Sequence, residues 1–358
     1  MTRFTRKHNR IGILTSGGDC AGLNAAIRAV TFRAIEQHGL AVVGINDGTA
    51  GLLERPVKQM DLTMKVFAGN YLRMGGTLLG TVNKGDPFAY PMPDGSVKDR
   101  SAEAIEGFRT LDLDALIGIG GDGSMRILSR LATQGRIPFI GIPKTIDNDV
   151  ARTDFAIGYM SAVDVAVDAL DRLQPTAASH RRVMVLEVMG RDVGWIAIAA
   201  GIAGGADVVL IPEVPVSMAK VAAKLKAVSA QGRNHALVVV AEGVRLPPET
   251  DLKADCRSTG GIVADMIAEA TGAETRVTVL GHVQRGGSPN AFDRILASSL
   301  GAHAADLAAR GLSDRIVIWD RGKIVDVPLS SVAGQTRALK LDGTLVETAR
   351  RMGICLGD

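Results

Sequence analysis

Short, continuously apolar runs alternate along this chain with longer amphipathic stretches, and no other feature restricts its fold as much. Ile11–Ser16, Leu40–Asn46, Ala115–Ile119, Pro138–Ile142, Val183–Val188, Asp207–Ile211, Ala236–Ala241, Arg276–Leu280 and Arg315–Trp319 read as strands. Most are apolar at successive positions rather than at every second one, the pattern of strands covered on both faces of a parallel sheet. Between them, Asn24–His38, Ser124–Thr133, Asp154–Leu173, Gly190–Gly204, Ser217–Ala230, Gly261–Ala270 and Phe292–Arg310 carry helical periodicity. Parallel strands joined through helices require right-handed crossovers. The expected fold class is therefore α/β, with two doubly wound, Rossmann-like domains sharing 358 residues.

Composition narrows the function classes. Lys and Arg number 41 against 38 Asp and Glu, a net charge of +3, which gives no electrostatic reason to expect nucleic acid or a membrane surface as partner. The longest apolar stretch, Val193–Ala206, is interrupted by glycines and ended by Asp207, short of the roughly 20 residues that a membrane span needs. The basic N-terminus lacks the apolar segment of a signal peptide. Cys20, Cys256 and Cys355 are scattered, without a CxxC pair. That usage fits a reducing cytoplasm and neither a disulfide framework nor a zinc site. The 42 glycines call for a separate reason.

Many of them follow strands, where open α/β sheets bind ligands. Thr15-Ser-Gly-Gly-Asp19 is one such turn, and Gly17 and Gly18 allow backbone N–H groups to approach a phosphate closely. Gly118-Ile-Gly-Gly-Asp-Gly-Ser124 is a second. Its glycines satisfy G-x-G-x-x-G, the dinucleotide fingerprint. Asp122 inside the turn would repel a bare pyrophosphate, however, and Pro143-Lys144 stands where the ribose-binding carboxylate of that motif belongs. A carboxylate there makes sense with Mg²⁺ between it and the phosphates. The third turn, Pro143-Lys-Thr-Ile-Asp-Asn-Asp149, offers Asp147 or Asp149 as a general base and Lys144 as a positive charge, the parts that phosphoryl transfer uses. The fourth, Gly281-His-Val-Gln-Arg-Gly-Gly-Ser-Pro289, sets His282 and Arg285 around paired glycines. Arg276, Met189-Gly-Arg191 and His180-Arg-Arg182 add charge suited to a sugar phosphate. The segment Tyr71–Val97, rich in glycine and proline, reads as a long functional loop.

These runs, in this order and spread over about residues 11–300, resemble the motifs of the 6-phosphofructokinase family. The resemblance implies phosphoryl transfer to the 1-hydroxyl of fructose 6-phosphate, a step of glycolysis, with Mg²⁺ as cofactor. Carried over by motif, it implies Asp147 as the base, Asp149 in positioning and metal electrostatics, and Thr145 at the transferring group beside Ile146. It also implies Asp122 as the metal ligand, with Gly17, Gly18, Gly121, Gly123 and Ser124 cradling the donor. Arg191 would stabilise transition-state charge, Met189 and Gly190 would line the sugar, and Glu242 would accept from a sugar hydroxyl. His282 and Arg285 would hold the 6-phosphate, with Arg182 and Arg276 reaching it from a neighbouring subunit of a dimer or tetramer. The domains expected are 1–159 with about 284–334 for the donor and Mg²⁺, and 160–283 with about 335–358 for fructose 6-phosphate.

The family divides between ATP and pyrophosphate users, and this chain is mixed. Pyrophosphate users usually carry Asp where Gly123 stands and Lys where Lys144 stands, whereas many ATP users carry Gly at both. An Asp at 123 would crowd and repel the α-phosphate of a nucleotide, so Gly123 favours ATP, and pyrophosphate is the alternative. Asn83 and Lys84 occupy the loop where bacterial ATP enzymes place a bridging Arg, and Lys84 is the expected substitute. The stretch Gln231-Gly-Arg-Asn234 is only partly basic, and no nucleotide effector is expected there. A non-catalytic sugar-phosphate sensor on the same scaffold would lack a base or metal carboxylate, and Asp122, Asp147 and Asp149 are all present.

Overall fold

A computed structural model of the chain describes residues 2–246 and 258–358; Cys256 lies outside them. The chain divides into two compact units, Met1–Met160 with Arg285–Arg337, and Ser161–Gln284 with Ala338–Asp358.

The first unit is built on a seven-stranded sheet. Its order is Lys323–Pro328, Arg315–Asp320, Phe139–Pro143, Ala115–Gly120, Arg10–Thr15, Ala41–Ile45 and Gln59–Leu62. The five inner strands are parallel and the two edge strands antiparallel. Arg10–Thr15 is continuously buried after its first residue and Ala115–Gly120 throughout, as the unbroken apolar runs require. The edge strands Gln59–Leu62 and Lys323–Pro328 are partly exposed, and polar residues interrupt both, so they carry no unbroken apolar run and the sequence reading passes them over. Leu116, Leu128 and Phe139, each at most 1% exposed, join Leu14 and Met125 in one apolar layer of this unit. Each such side chain removed from water contributes about 1.5–3 kcal/mol. Elsewhere in the unit the helices Leu23–His38 and Ala291–Ala309 pack together. Gly301 permits that approach, because a Cβ there would stand 2.7 Å from the carbonyl oxygen of Ala26.

The second unit carries a four-stranded parallel sheet ordered Val208–Leu210, Ala236–Ala241, Val183–Val188, Thr275–Val279. Three strands are fully buried, while Thr275–Val279 forms an exposed edge with Val277 and Val279 38% and 49% accessible.

Several boundaries differ from the sequence reading. The helix expected from Asp154 begins at Tyr159 and runs on through Pro175 to His180. Gly158, at φ +100°, precedes it in a conformation that a helix cannot include. Ser101–Thr110 and Thr344–Arg351 are further helices. The segment 71–97 is not one open loop: it contains short 3₁₀ turns at Tyr71–Arg73 and Pro87–Ala89 and a small hairpin pairing Tyr90–Pro91 with Val97–Lys98. No helix among the described residues is long and apolar enough to cross a membrane.

Candidate active site

Three adjacent parallel strands of the first unit, Arg10–Thr15, Ala115–Gly120 and Phe139–Pro143, end level with one another, with Thr15 beside Ile119 and Gly120 beside Pro143. Arg10–Thr15 pairs with Ala41–Ile45, next in sequence, on one side and with Ala115–Gly120 on the other, the reversal of strand order at which an α/β crevice opens. A cavity of about 280 Å³ lies there, lined by Ser16–Gly18, Val82, Asn83, Gly85, Asp86, Gly121–Ser124, Ile127, Lys144, Thr145 and Arg285. Its walls are held by backbone bonds. Ser16 N–H donates to Ile119, Lys144 N–H to Gly120, and Thr81 Oγ1 to the carbonyl of Gly17 at 2.6 Å.

Glycine serves two of these positions for different reasons. Gly17 adopts φ +80°, and a Cβ on Gly18 would stand 2.7 Å from Nη1 of Arg285. At Gly123, by contrast, a Cβ would meet no atom within 4 Å, so a larger side chain there would occupy ligand space rather than protein. Asp122 opens the helix Asp122–Gly135, and its Oδ1 accepts the N–H of Gly123 at 2.6 Å. The first-turn N–H groups and the helix dipole favour an anion at this end.

Lys144 is 4% exposed, and its Nζ donates to the carbonyls of Ser16, at 3.0 Å, and of Gly18. Burial lowers its pKa. Its charge is thus directed largely into the Ser16–Gly18 turn, which it pins, whereas the sequence reading aimed it at the donor phosphates. Cys20, buried nearby and donating to the carbonyl of Ile157, has its thiol pKa pushed up to about 12 by burial. In the 145–149 segment Asp147 N–H donates to Thr145 Oγ1 at 3.1 Å, and Asn148 turns the chain at φ +54°. Ile146 is 1% exposed, so its side chain belongs to the core and only its backbone is placed to meet a ligand.

Two further positions differ from expectation. Lys84 is exposed and does not line the cavity, because the wall there is formed by its neighbours Asn83, Gly85 and Asp86. Arg285, expected at the acceptor phosphate, lines the cavity of the first unit, its Nη1 donating to the carbonyl of Asp19 at 3.1 Å.

In the second unit Met189–Arg191, Glu242 and His282 follow the C-terminal ends of three neighbouring strands, whereas Arg182 and Arg276 stand at the N-terminal starts of two of them. Glu242 N–H donates to Val188 and Gly243 N–H to Gly190, which ties the turn after Ala236–Ala241 to the Met189–Arg191 turn. Gly190 sits at φ +135°. Gln284, 2% exposed, accepts from Met189 N–H at 2.6 Å and donates to Ala162. The Gly281–Arg285 turn is thereby anchored, with His282 exposed upon it. Arg191 is exposed and paired with Asp192 at 2.9 Å. Arg182 and Arg276 both bind Glu274, at 2.8 and 2.5 Å, and the hydrogen bond from Arg182 leads the effects that lower the pKa of that carboxyl. A separate cavity of about 260 Å³ in this unit is lined by Arg182, Lys226, Arg233 and His235 among others; Arg233 is bound to Asp207.

Sequence reasoning missed Asp86 and Ile127 in the cavity wall and the anchoring role of Gln284. Gln284 lies inside a motif the sequence displays, but its burial could not be read there.

Glycine-walled turns at a switch point, a carboxylate at a helix start and two aspartates on the neighbouring strand end define an α/β enzyme built to handle phosphates. The chain belongs to the phosphofructokinase family, whose model, described as "Phosphofructokinase", matches residues 10–308. It is 54% identical over 356 residues to "ATP-dependent 6-phosphofructokinase 1" of Synechocystis sp., covering 98% of both chains. It is 52% identical to the protein of the same name from Nostoc sp., covering 98% of this chain and 99% of that one. Among solved structures, phosphofructokinase from Saccharomyces cerevisiae superposes with a TM-score of 0.79 at 30% identity, over 90% of this chain and 44% of that one. A pyrophosphate-dependent phosphofructokinase from Nitrosospira multiformis shares the fold, with a TM-score of 0.82 at 22% identity over 98% of this chain and 93% of that one.

Proposed function

We propose that this chain transfers the γ-phosphoryl group of ATP to the 1-hydroxyl of fructose 6-phosphate in the cytoplasm. The observation that carries the donor assignment is Gly123, whose missing side chain leaves open space in the donor cavity. The relatives with the same full-length match bear ATP in their names. In the step itself the oxygen of the 1-hydroxyl bonds to the γ-phosphorus, the bond to the bridging oxygen breaks, and ADP leaves. Asp147 accepts the hydroxyl proton, with Asp149 and Thr145 holding the segment around it. Backbone around Gly17 and Gly18 and the first turn of the helix Asp122–Gly135 receive the donor oxygens, and Lys144 keeps the first of those turns in shape. Arg285 supplies positive charge at the transferring group.

Among the described residues no group of three or more His, Cys, Asp or Glu could hold a metal ion by itself. Mg²⁺ binds through one or two carboxylates together with substrate phosphates and waters. Asp122, in the donor wall, is the residue placed to hold it. When bound, the ion neutralises charge on the phosphates.

The acceptor end falls to the second unit, the donor end to the first. Met189, Gly190 and Glu242 line the sugar, His282 meets the 6-phosphate, and Arg191 swings from Asp192 to the developing charge. Arg182 and Arg276, grouped around Glu274 beside an exposed strand edge, serve the 6-phosphate of a second copy of the chain, making the enzyme a dimer or tetramer. The reading is tested by incubating the purified protein with fructose 6-phosphate, ATP and Mg²⁺. Fructose 1,6-bisphosphate and ADP are expected in equal amounts, with no product when Mg²⁺ is chelated. ATP hydrolysis without a bisphosphate product would refute it.

A further inference from the structure

The segment that carries the proposed base has a clamp from far along the chain. Thr336 forms an isolated antiparallel bridge with Val150, and Arg337 N–H donates to the carbonyl of Asp149 at 2.6 Å. The Arg337 guanidinium then reaches under the same segment, donating from Nη1 to the carbonyl of Asp154 at 2.8 Å, with a longer contact to Asn148 at 3.5 Å. Asn148 reinforces the turn from inside: its Nδ2 donates to the same Asp154 carbonyl at 3.0 Å and its Oδ1 accepts from Ala156 at 2.9 Å. Residues 147–154 therefore form a closed turn around one guanidinium that the sequence places nearly two hundred positions away.

We infer that Arg337 is a positioning residue for phosphoryl transfer, holding Asp147 and Asp149 in register by tying together the carbonyls at the two ends of their turn. Several facts make its role specific. Asn148 is in a left-handed conformation, φ +54°, and so is Arg152 at φ +68°. Such non-glycine turns persist when surrounding bonds over-determine them. Burial works against the guanidinium charge while Asp154 and Tyr159 favour it. Both contacts leave one guanidinium nitrogen, Nη1, whose two N–H groups reach the carbonyls at either end of the turn. Without it, the carbonyls of Asp154 and Asn148 lose a charged donor, and the turn relaxes where the base sits.

The inference rests on Asp147 acting as base, and the test separates the two. Arg337→Lys, Arg337→Gly and Asp147→Asn are compared by steady-state kinetics and by hydrogen–deuterium exchange of peptides spanning 145–157. In Arg337→Gly, kcat is expected to fall about 10–100-fold, since small misplacements of reacting groups have costs of that order. KM for both substrates should stay near wild type, exchange should rise only in 145–157, and added guanidinium should restore part of kcat. Arg337→Lys should fall between the two. Should Arg337→Gly not fold, Arg337→Lys alone decides. Wild-type kcat and wild-type exchange in Arg337→Lys, with Asp147→Asn inactive, would overturn the inference alone. Near-normal kcat in Asp147→Asn would overturn the reading of the base and the inference with it.

Discussion

Asp147 is the residue on which the proposed chemistry turns, and its type was legible while its support was not. A pair of aspartates two positions apart behind an apolar strand marks a polar cluster at a strand end. What fixes them, the Thr145 hydroxyl under Asp147 N–H and the Thr336–Arg337 clamp on Asp149 and Val150, has no trace in local spacing. Lys144 shows the same division. Its presence beside the donor turn could be read, but its contact with the carbonyls of Ser16 and Gly18 depends on the adjacency of three strands that only folding creates. Removing the carboxylate while keeping its shape tests the residue directly. Asp147→Asn should reduce kcat by ~10²–10⁴-fold, the usual contribution of a general base, with the thermal midpoint little changed; stopped-flow or coupled assays at saturating substrates measure it.

At the scale of elements, the buried strands were legible because burial on both faces writes a continuous apolar run, as in Val183–Val188 and Ala236–Ala241. The antiparallel edges were not, since a strand with one wet face needs no such run. The loops between elements matter most where two backbones touch. A Cβ on Gly243 would collide with the carbonyl oxygen of Arg191, so the turns carrying Met189–Arg191 and Glu242 are packed main chain to main chain. Gly243→Ala must push them apart. Because displacements near 1 Å cost on the order of 10²-fold in rate, kcat/KM for fructose 6-phosphate should fall by that order while ATP binding by the isolated donor cavity, followed by calorimetry, is kept. Unchanged acceptor kinetics would show that these turns do not line the sugar.

For the whole molecule, several carboxylates tie distant segments together. Asp114 accepts N–H groups from Lys7, His8 and Arg10, Asp306 binds Arg33 and His38, and Asp326 binds Arg315 and His303. Burial opposes ionisation at each, and the hydrogen bonds outweigh it, so all three pKa values lie below the ordinary carboxylate value. A depressed folded pKa means stability that is complete above the unfolded value of about 4 and is lost as pH falls through the folded one. Thermal midpoints should therefore hold steady from neutral pH down to about 5 and fall steeply below about 4. In Asp114→Asn that acid-side fall should be shallower, and an identical slope would remove Asp114 from the account.

The donor is where the chain's mixed pattern, Gly123 with Lys144, bears on function. Gly123 borders open space in the cavity, while Lys144, also in its lining, donates to the carbonyls of Ser16 and Gly18. The most direct measurement is the initial rate of fructose 1,6-bisphosphate formation with Mg²⁺ and either ATP or pyrophosphate, for the wild-type protein and Gly123→Asp. Turnover with ATP, none measurable with pyrophosphate, and loss of ATP use in Gly123→Asp are expected. Turnover with pyrophosphate and none with ATP would contradict it.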